Sequence, residues 1–374
     1  MVLHFSKYLV ADTINSIATQ YGFAVPANVE KFIMDFEMQY QVMQKLECVT
    51  HGGMSMPFHT NEDARRLSID IDLLTSSSLE QTEQKMEKIG DNLTEVSLEK
   101  IVPKDRYPIP NILSYYVRYR SCLGHDDNIK VDFLCDVDIS LPKITIQPGF
   151  VLFNFIIDYP MDVLTHGSLI GDKLTTLALE KIGLPERKFS DIPKQVYDIA
   201  TLLKLGSETV FQEAFSTFEK FTQFKMDHYE IEQPYKLNDI ITGIEDSVFN
   251  LLDTTSSITI THKQDSRFGQ FKSAFLGNSS DYKKTEHITD ILIILLLSKL
   301  IHSYIDKSFT LGESVNLFNN VIDQLNKISN YNGEMRSSEH EKIYGLISSE
   351  LPFNKKILKG APLEHILLIK NIYN

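Results

Sequence analysis

The chain has little cysteine and no long uninterrupted hydrophobic run. Its three cysteines, Cys48, Cys122 and Cys135, are an odd number with no C-x-x-C spacing, which argues against a disulfide framework and a zinc site. We therefore expect a reducing, cytoplasmic location. The N-terminus lacks a basic region followed by a long apolar segment, so we expect no signal peptide. The most apolar stretch, Ile291 to Leu297, is too short to span a bilayer; it predicts a buried helix and no membrane role.

Two common nucleotide-binding signatures are also absent. The chain contains neither G-x-x-x-x-G-K-[ST] nor G-x-G-x-x-G in a strand-turn-helix context, which argues against a phosphate-binding-loop kinase and a dinucleotide enzyme. The formal net charge of −13 disfavours indiscriminate binding to nucleic acid and leaves room for a local basic cleft. With 374 residues, 43% of them hydrophobic, the chain is long enough for two or three domains with buried cores.

The most informative stretch is residues 67–74, where apolar and polar side chains alternate. Apolar residues occupy every second position from Leu67 to Leu73, with Asp70 and Asp72 between them, and this period of two predicts a half-buried strand. Both carboxylates then point to one face about 6.6 Å apart. At an effective dielectric near 20 they would repel by roughly 2–3 kcal/mol. Carboxylate oxygens favour a hard cation, so we predict Mg²⁺ there, with Mn²⁺ as a possible substitute. An ordinary strand whose solvent-exposed face is acidic explains the pattern about as well.

A glycine pair precedes this strand. Residues 48–50 predict a short strand, and Gly52-Gly53 directly after it would let the backbone approach a ligand closely. Ser55 offers a hydroxyl to an anion. We therefore predict that Gly52, Gly53 and Ser55 cradle the phosphates of a nucleotide. His51 and His59 could also contact phosphate, although a solvated or structural histidine is the simpler interpretation.

The combination resembles the AbiEii/AbiGii-type nucleotidyltransferase toxins. Their hallmark is a glycine/serine turn followed, after a short gap, by an arginine-rich approach to a D-x-D strand; here Gly52-Gly53-Met54-Ser55 is followed by Arg65-Arg66 and then by Asp70 and Asp72. The resemblance adds Arg66 to the predicted nucleotide-binding residues. It implies an α/β (α+β) fold, with a nucleotidyltransferase-like mixed sheet and flanking helices. We expect this domain at 1–160, and at 161–374 a mostly helical domain that completes the nucleotide site.

A predicted hairpin supplies a third acid. Residues 129–136 form its second predicted strand, in which Lys130 and Asp132 share a face. In the nucleotidyltransferase fold a neighbouring strand supplies an acid that binds metal and takes the proton from the attacking hydroxyl. The resemblance therefore makes Asp132 a candidate for both roles, beside Asp70 and Asp72. Asp136 and Asp138 remain alternatives.

The first predicted strand of the hairpin, residues 112–120, alternates aromatic and basic side chains. Tyr116, Arg118 and Arg120 share one face, and interleaved rings and guanidinium groups suit the phosphates and bases of a polynucleotide. A solvated sheet face covered by tyrosines is the simpler interpretation.

Two helical segments carry further candidates. Taken alone, Lys173 and Asp198 are explained as a solvated lysine and a capping aspartate. The resemblance implies more, because the family has a lysine-leucine helix and a later helix of the form R-D-x-Y-D-[IL], both contributing to the nucleotide pocket. Lys173 would then bind the triphosphate and Asp198 would complete the catalytic site. This chain has Lys194 and Gln195 where arginine and the first aspartate are usual. Either Asp191 or Asp198 takes the role of the missing first aspartate, or that role is lost.

Elsewhere the apolar spacing predicts mostly helices. Residues 12–47 carry apolar side chains at intervals of three or four, and so does much of the chain beyond Leu205. The segment from Ser256 to Asp281 is rich in Ser, Thr, Gly and Asn, which predicts a loop or a short strand pair.

The resemblance also implies an activity. We expect Mg²⁺-dependent transfer of a nucleoside monophosphate from a nucleoside triphosphate (NTP) to an RNA end, the 3′ end of tRNA being the expected acceptor, with release of pyrophosphate. The protein would be the toxin of a toxin–antitoxin or phage-defence pair, and an antitoxin would be its partner. Three alternatives stay open: transfer to a protein or small molecule, a nucleotide-binding interaction module without catalysis, and a nuclease using the same carboxylates.

Overall fold

The computed structural model of the chain describes residues 3–60, 66–102, 111–138, 140–185, 188, 191–206, 208–228, 235–253, 261–262, 265–277, 282–347, 359 and 361–373. Arg65 of the predicted arginine pair lies outside these residues. The described residues form a mixed sheet with flanking helices, and helices predominate after Leu164, which confirms the predicted fold class.

Seven strands form one mixed sheet in the order β3-β4-β5-β2-β1-β9-β6. β7 pairs with β8, and β10 pairs with β11, as two separate hairpins. The strands are β1 (Val49–His51), β2 (Asp70–Leu74), β3 (Val96–Lys100), β4 (Ile112–Arg120), β5 (Asp126–Leu134), β6 (Lys143–Ile146), β7 (Phe150–Leu152), β8 (Phe155–Ile157), β9 (Met161–Leu164), β10 (Leu252–Asp253) and β11 (Thr261–His262).

The register of the central strands places the predicted site residues side by side. β2 runs parallel to β5, which pairs Asp70 with Lys130 and Asp72 with Asp132. β1 runs antiparallel to β2, which pairs His51 with Asp72. Asp72 therefore lies between a histidine on one neighbouring strand and a second aspartate on the other.

Twelve α-helices and one 3₁₀ helix, Gly52–Phe58, occur among the described residues. The α-helices are α1 (Ala11–Tyr21), α2 (Pro26–Met43), α3 (Leu79–Asn92), α4 (His166–Thr176), α5 (Ile192–Leu205), α6 (Glu208–His228), α7 (Leu237–Phe249), α8 (Asp265–Phe275), α9 (Lys284–Ile305), α10 (Leu311–Ser329), α11 (Gly333–Leu346) and α12 (Leu363–Tyr373).

Two predictions about helices are wrong in part. The helix predicted over 12–47 is two helices, because Gly22 ends α1 in the left-handed conformation, with φ 68°, and Pro26 starts α2. The segment from Ser256 to Asp281, predicted as a loop or a short strand pair, contains β11 but also α8, whose Phe268 and Phe271 side chains are buried. Burial of these rings outweighs the weak helix propensity of the segment.

The core determines which face of the sheet carries the acids. Ile71 and Leu73 of β2 belong to a buried cluster that includes Met34 of α2 and Met86 of α3. Burial of each such side chain stabilises the fold by roughly 1.5–3 kcal/mol. Because side chains alternate along a strand, Asp70 and Asp72 project to the opposite face, where both are half-buried.

The chain divides into two compact units. The first comprises Met1–Asp172, Gln223–Gln233 and Gln270–Asp281; the second comprises Lys173–Thr222, Pro234–Gly269 and Tyr282–Asn374. The division expected at residue 160 stays a prediction.

The helix α9, in the second unit, is strongly apolar. Residues 291–297 are all buried, as the sequence predicts. By length and composition α9 could cross a membrane, and 67% of its most apolar window is buried inside the fold. A core helix has the same length and composition, so this feature is a weak indication of a membrane span.

Candidate functional site

The glycine turn packs directly on the D-x-D strand. β1 ends at His51, and Gly52 follows in the left-handed conformation with φ +63°. A Cβ atom built on Gly52 would lie 2.0 Å from Oδ2 of Asp72, and one built on Gly53 would lie 2.4 Å from Oγ of Ser68. Residue 52 is thus restricted to glycine by its backbone conformation and by its neighbour. The structure brings the predicted phosphate turn and the predicted metal strand together.

Ser55 lies in this turn and Arg66 lies beside Gly53, and both side chains are buried. The Ser55 hydroxyl donates a hydrogen bond of 2.9 Å to the carbonyl of Thr50, and the side chain is fully buried. Arg66 is buried as well, and its Nη1 donates to the carbonyl of Leu67 at 2.7 Å. The Ser55 hydrogen bond links the turn to β1. The predicted contacts of Ser55 and Arg66 with a nucleotide stay predictions.

An acidic cluster that includes one lysine lies on a half-buried face of β2 and β5. Lys130 forms an ion pair with Oδ2 of Asp132, the side chains being 29% and 26% exposed. Burial lowers the pKa of Lys130, but the Asp132 carboxylate outweighs burial and raises the pKa overall. Asp72 and Asp70 add to this increase. The ammonium is therefore charged at neutral pH. The other oxygen of Asp132, Oδ1, is buried without a hydrogen-bond partner.

A fourth acid, Asp35 on α2, was missed by the sequence analysis. It is fully buried, and neither of its carboxyl oxygens has a hydrogen-bond partner. Burial, followed by the negative charges of Asp70 and Asp72, raises the pKa of Asp35 well above its usual value. Burial therefore favours the neutral, protonated form of this carboxyl group. The sequence feature that could have identified Asp35 is an acidic residue among the apolar residues of a predicted helix.

The carboxylates of Asp70 and Asp72 fit a hard divalent cation. They lie half-buried on one face of one strand, and Mg²⁺ is commonly held by one or two carboxylates together with substrate phosphates and water. Within the described ranges, no three Asp, Glu, His or Cys side chains are grouped to hold one metal ion. Because Lys130 engages Asp132, the contribution of Asp132 to a metal site stays a prediction.

His51 has a partner that sequence reasoning missed. Its Nδ1 lies 2.9 Å from Oδ2 of Asp172 on α4, and both side chains are largely buried. Burial lowers the pKa of His51, but the Asp172 carboxylate outweighs burial and raises the pKa overall. Asp172 also acts on Lys225 of α6, where burial lowers the pKa and Asp172 opposes the shift. In the first unit, Asp172 thus favours the protonated form of an imidazole beside the glycine turn.

In the second unit, Lys173 pairs with Asp198. The Nζ of Lys173 on α4 lies 2.7 Å from Oδ2 of Asp198 on α5, and the two residues are 2% and 0% exposed. Of the two acids that the sequence left open, Asp198 is the one that makes this pair, whereas Asp191 precedes α5 without a side-chain capping bond. Gln195, at the divergent position, has its Oε1 buried without a hydrogen-bond partner. The catalytic roles of Lys173 and Asp198 stay predictions.

The arginines of β4 pair with acids at the surface. Nε of Arg118 lies 2.5 Å from Glu99, and Nη1 of Arg120 lies 2.9 Å from Asp126. All four side chains are more than half exposed, and such pairs typically contribute about 0–1 kcal/mol. This face therefore presents charges of both signs rather than a basic patch.

Two solved structures have a low similarity to this chain. A solved structure from H. pylori, assigned as a nucleotidyltransferase, has 13% sequence identity and a TM-score of 0.36, over 75% of this chain and 98% of that chain. MenT4, a nucleotidyltransferase toxin from Mycobacterium tuberculosis H37Rv, has 12% identity and a TM-score of 0.41, over 61% of this chain and 77% of that chain. A comparison with curated proteins gives no match.

A family model covers the candidate site. The model for "Nucleotidyl transferase AbiEii toxin, Type IV TA system" matches residues 44–286, which include the glycine turn, the D-x-D strand and the Lys173–Asp198 pair. The match extends over well more than half of the chain. The chain therefore belongs to the AbiEii family of nucleotidyltransferase toxins.

Proposed function

We propose that this nucleotidyltransferase uses Mg²⁺ to transfer a nucleoside monophosphate from an NTP to an RNA end, the 3′ end of tRNA. We further propose that it acts as the toxin of a phage-defence pair. Membership of the family implies an NTP substrate and an antitoxin partner. The observation that carries the proposal is the contact of the Gly52 backbone with the carboxylate of Asp72.

This contact suits a triphosphate bound beside a metal ion. A phosphate chain needs backbone that it can approach closely, and glycines without side chains provide it. Because Gly52 lies against Asp72, phosphate oxygens on the turn and a cation on the carboxylates would be neighbours. His51, whose pKa is raised by Asp172, is paired in register with Asp72 at the same end of β1.

Different residues of the first unit would have different roles in the reaction. Asp70 and Asp72 would hold Mg²⁺, which when bound neutralises charge on the triphosphate and on the departing pyrophosphate. The acceptor hydroxyl oxygen forms a bond to the α-phosphorus as the bond from that phosphorus to the β-phosphate oxygen breaks. The hydroxyl proton passes to a base, for which Oδ1 of Asp132, buried without a partner, is the candidate. The raised pKa of Asp35 disfavours a further negative charge close to Asp70 and Asp72.

In the second unit, Asp198 holds the ammonium group of Lys173 in one position. A fixed point charge suits the predicted role of Lys173, which is to stabilise negative charge on the triphosphate. Substitution of Lys173 should accordingly weaken the use of NTP more than it weakens the binding of an acceptor.

RNA is the acceptor that we favour, on the family resemblance and on the exposed guanidinium groups of β4. The pairs Arg118–Glu99 and Arg120–Asp126 are weak enough to exchange for contacts with phosphate. The net charge of −13 favours the alternative, transfer to a protein or a small molecule.

The test uses purified full-length protein with Mg²⁺, each α-labelled NTP in turn, and total bacterial tRNA. The variant Asp70→Asn with Asp72→Asn removes the predicted metal ligands. The matched control, Asp12→Asn with Asp91→Asn, removes the same charge from two exposed acids of the same unit. We expect label on tRNA with the wild type and the control, and none with the first variant. Label on protein would contradict the proposed acceptor, and label that survives loss of Asp70 and Asp72 would contradict the proposed site.

A further inference from the structure

We infer that the phenol ring of Tyr116 stacks on the terminal base of an unpaired RNA 3′ end and so places the acceptor beside Asp70 and Asp72. The inference deepens the proposed function and rests on it for RNA as the acceptor. It gives Tyr116 a role in binding the acceptor, separate from the binding of metal and triphosphate at the neighbouring strand.

Tyr116 lies in the same cross-strand row as Asp70. Tyr116 of β4 pairs with Lys130 of β5, and Lys130 pairs with Asp70 of β2. Neighbouring strands are about 4.8 Å apart, so the backbones of Tyr116 and Asp70 are about 9.6 Å apart. Residues that are paired across a sheet project their side chains to the same face. A nucleotide with its terminal hydroxyl at Asp70 would therefore bring its base over Tyr116.

The opposite face of β4 packs in the core and contains the other tyrosines of this strand. Tyr115, Val117 and Tyr119 belong to the buried cluster that also contains Ile71 of β2. Tyr116 projects away from that cluster and is half-buried among polar side chains. Packing in the core therefore accounts for Tyr115 and Tyr119, but it does not account for the ring of Tyr116.

An arginine supports the ring of Tyr116. Cζ of Arg118 lies 5.9 Å from the centroid of the Tyr116 ring, and the Arg118 guanidinium is itself held by an ion pair with Glu99. A guanidinium over an aromatic ring attracts it electrostatically, and both groups stack on nucleic-acid bases. Arg118 therefore restricts the movement of the ring and extends the flat surface on which bases can stack.

The charges on this face favour an unpaired RNA end over a duplex. Each lysine or arginine that β4 and β5 place here pairs with an acid: Arg118 with Glu99, Arg120 with Asp126, and Lys130 with Asp132. Binding of a duplex depends on cations that neutralise phosphates, and this face has no surplus of cations. Stacking needs no net charge, but it needs a base that is not already paired.

The experiment locates the terminal base by photo-cross-linking. The full chain, without NTP, is mixed with a short single-stranded RNA whose 3′-terminal base is 5-iodouracil, which cross-links on irradiation to an aromatic side chain stacked on it. Mass spectrometry identifies the cross-linked residue, and fluorescence anisotropy of a 5′-labelled copy gives the affinity. A second probe has the same 3′ end paired with a complementary strand.

The variants separate stacking from folding. Tyr116→Phe keeps an aromatic ring, whereas Tyr116→Val removes the ring and keeps a side chain that suits a strand. The matched control is Tyr331→Val, which removes a half-buried tyrosine from the segment between α10 and α11 in the second unit.

We expect the wild type and Tyr331→Val to cross-link the unpaired 3′ base at Tyr116, and Tyr116→Phe to cross-link it at the same position. Tyr116→Val should lose this cross-link and bind the unpaired RNA roughly 5- to 150-fold more weakly, as expected for the loss of one stacked base. Its KM for NTP should stay unchanged, because the ring does not contact the triphosphate. The paired 3′ end should give no cross-link at Tyr116.

The absence of a cross-link at Tyr116 in the wild type would overturn the inference, and so would an unchanged RNA affinity of Tyr116→Val. The cross-link in the wild type decides the question even if Tyr116→Val fails to fold. If the inference fails in this way while label still moves from NTP to tRNA, the proposed function stands. Failure of the wild type to bind either RNA would overturn the inference and the proposed acceptor together. A cross-link at Tyr116 without any nucleotide transfer would overturn the proposed function alone.

Discussion

Replacement of Gly52 by alanine should disable the site by displacing Asp72. The new Cβ atom would lie 2.0 Å from Oδ2 and 2.7 Å from Cγ of that residue. A van der Waals separation is about 3.5–4.0 Å, so the carboxylate would have to move by roughly 1 Å or more. A misplacement of that size costs about a hundredfold in rate at a catalytic site. We therefore expect nucleotide transfer to fall about a hundredfold or further.

The same substitution should also destabilise the fold. An L-residue in the left-handed conformation costs roughly 1–2 kcal/mol, and overpacking adds roughly 1–3 kcal/mol, so the free energy of unfolding should fall by about 2–5 kcal/mol. Gly124→Ala is the matched control, because Gly124 also has a positive φ, +93°, but nothing lies within 4 Å of its Cβ position. That control should lose only the backbone part, about 1–2 kcal/mol, and keep its activity.

Urea unfolding and the transfer assay, performed on both variants, separate the two effects. If Gly52→Ala and Gly124→Ala lose the same stability and both remain active, a side chain at position 52 does not displace Asp72. That result would refute the proposed contact between the turn and the metal-binding strand. If both lose activity equally, backbone strain alone explains the loss.

Three further substitutions test buried groups. Lys173→Met should lower the free energy of unfolding by roughly 3–5 kcal/mol, because it removes the cationic partner of the buried Asp198 carboxylate, and Asp198→Leu in the same chain should recover most of that loss in urea titrations. Asp35→Asn should raise the free energy of unfolding at pH 7 by about 1 kcal/mol or more. Folding raises the pKa of the Asp35 carboxyl, so the wild type has its full stability below pH 3.8 and loses stability as the pH rises through the folded pKa. A wild type as stable at pH 7 as Asp35→Asn would contradict this. Burial lowers the pKa of His365, so folding favours the neutral ring and the wild type loses stability as the pH falls from about 6.5 toward the folded pKa. His365→Gln should lose less stability over this pH range. Equal pH slopes of the melting temperature in the two proteins would contradict this.

Local patterns were enough to find the elements of the site. Alternation placed Asp70 and Asp72 on one face of a strand, and the same rule placed Lys130 and Asp132 together on another strand. The glycine pair marked a turn before the first strand. Each of these features is encoded within a few neighbouring residues, so it can be read without knowledge of the rest of the fold.

Contacts between distant residues could not be predicted in this way. His51 and Asp172 are 121 positions apart, and nothing in either local sequence indicates the other. The burial of Ser55 and Arg66 also depends on how the turn packs, although both stood in the predicted nucleotide-binding set. For α8, a composition typical of loops was overridden by the burial of Phe268 and Phe271, since propensity is only a weak prior for structure.

The central claim is that the carboxylates of Asp70 and Asp72 support transfer of a nucleotide rather than of a terminal phosphate. The most direct test incubates the wild type, and the variant Asp70→Asn with Asp72→Asn, with Mg²⁺, tRNA and one NTP labelled on either the α- or the γ-phosphate. The account predicts that only the α-label of the wild-type reaction becomes attached to tRNA, while the γ-label leaves as pyrophosphate. Attachment of the γ-label, shortening of the tRNA without attachment, or attachment of the α-label by the variant would contradict it.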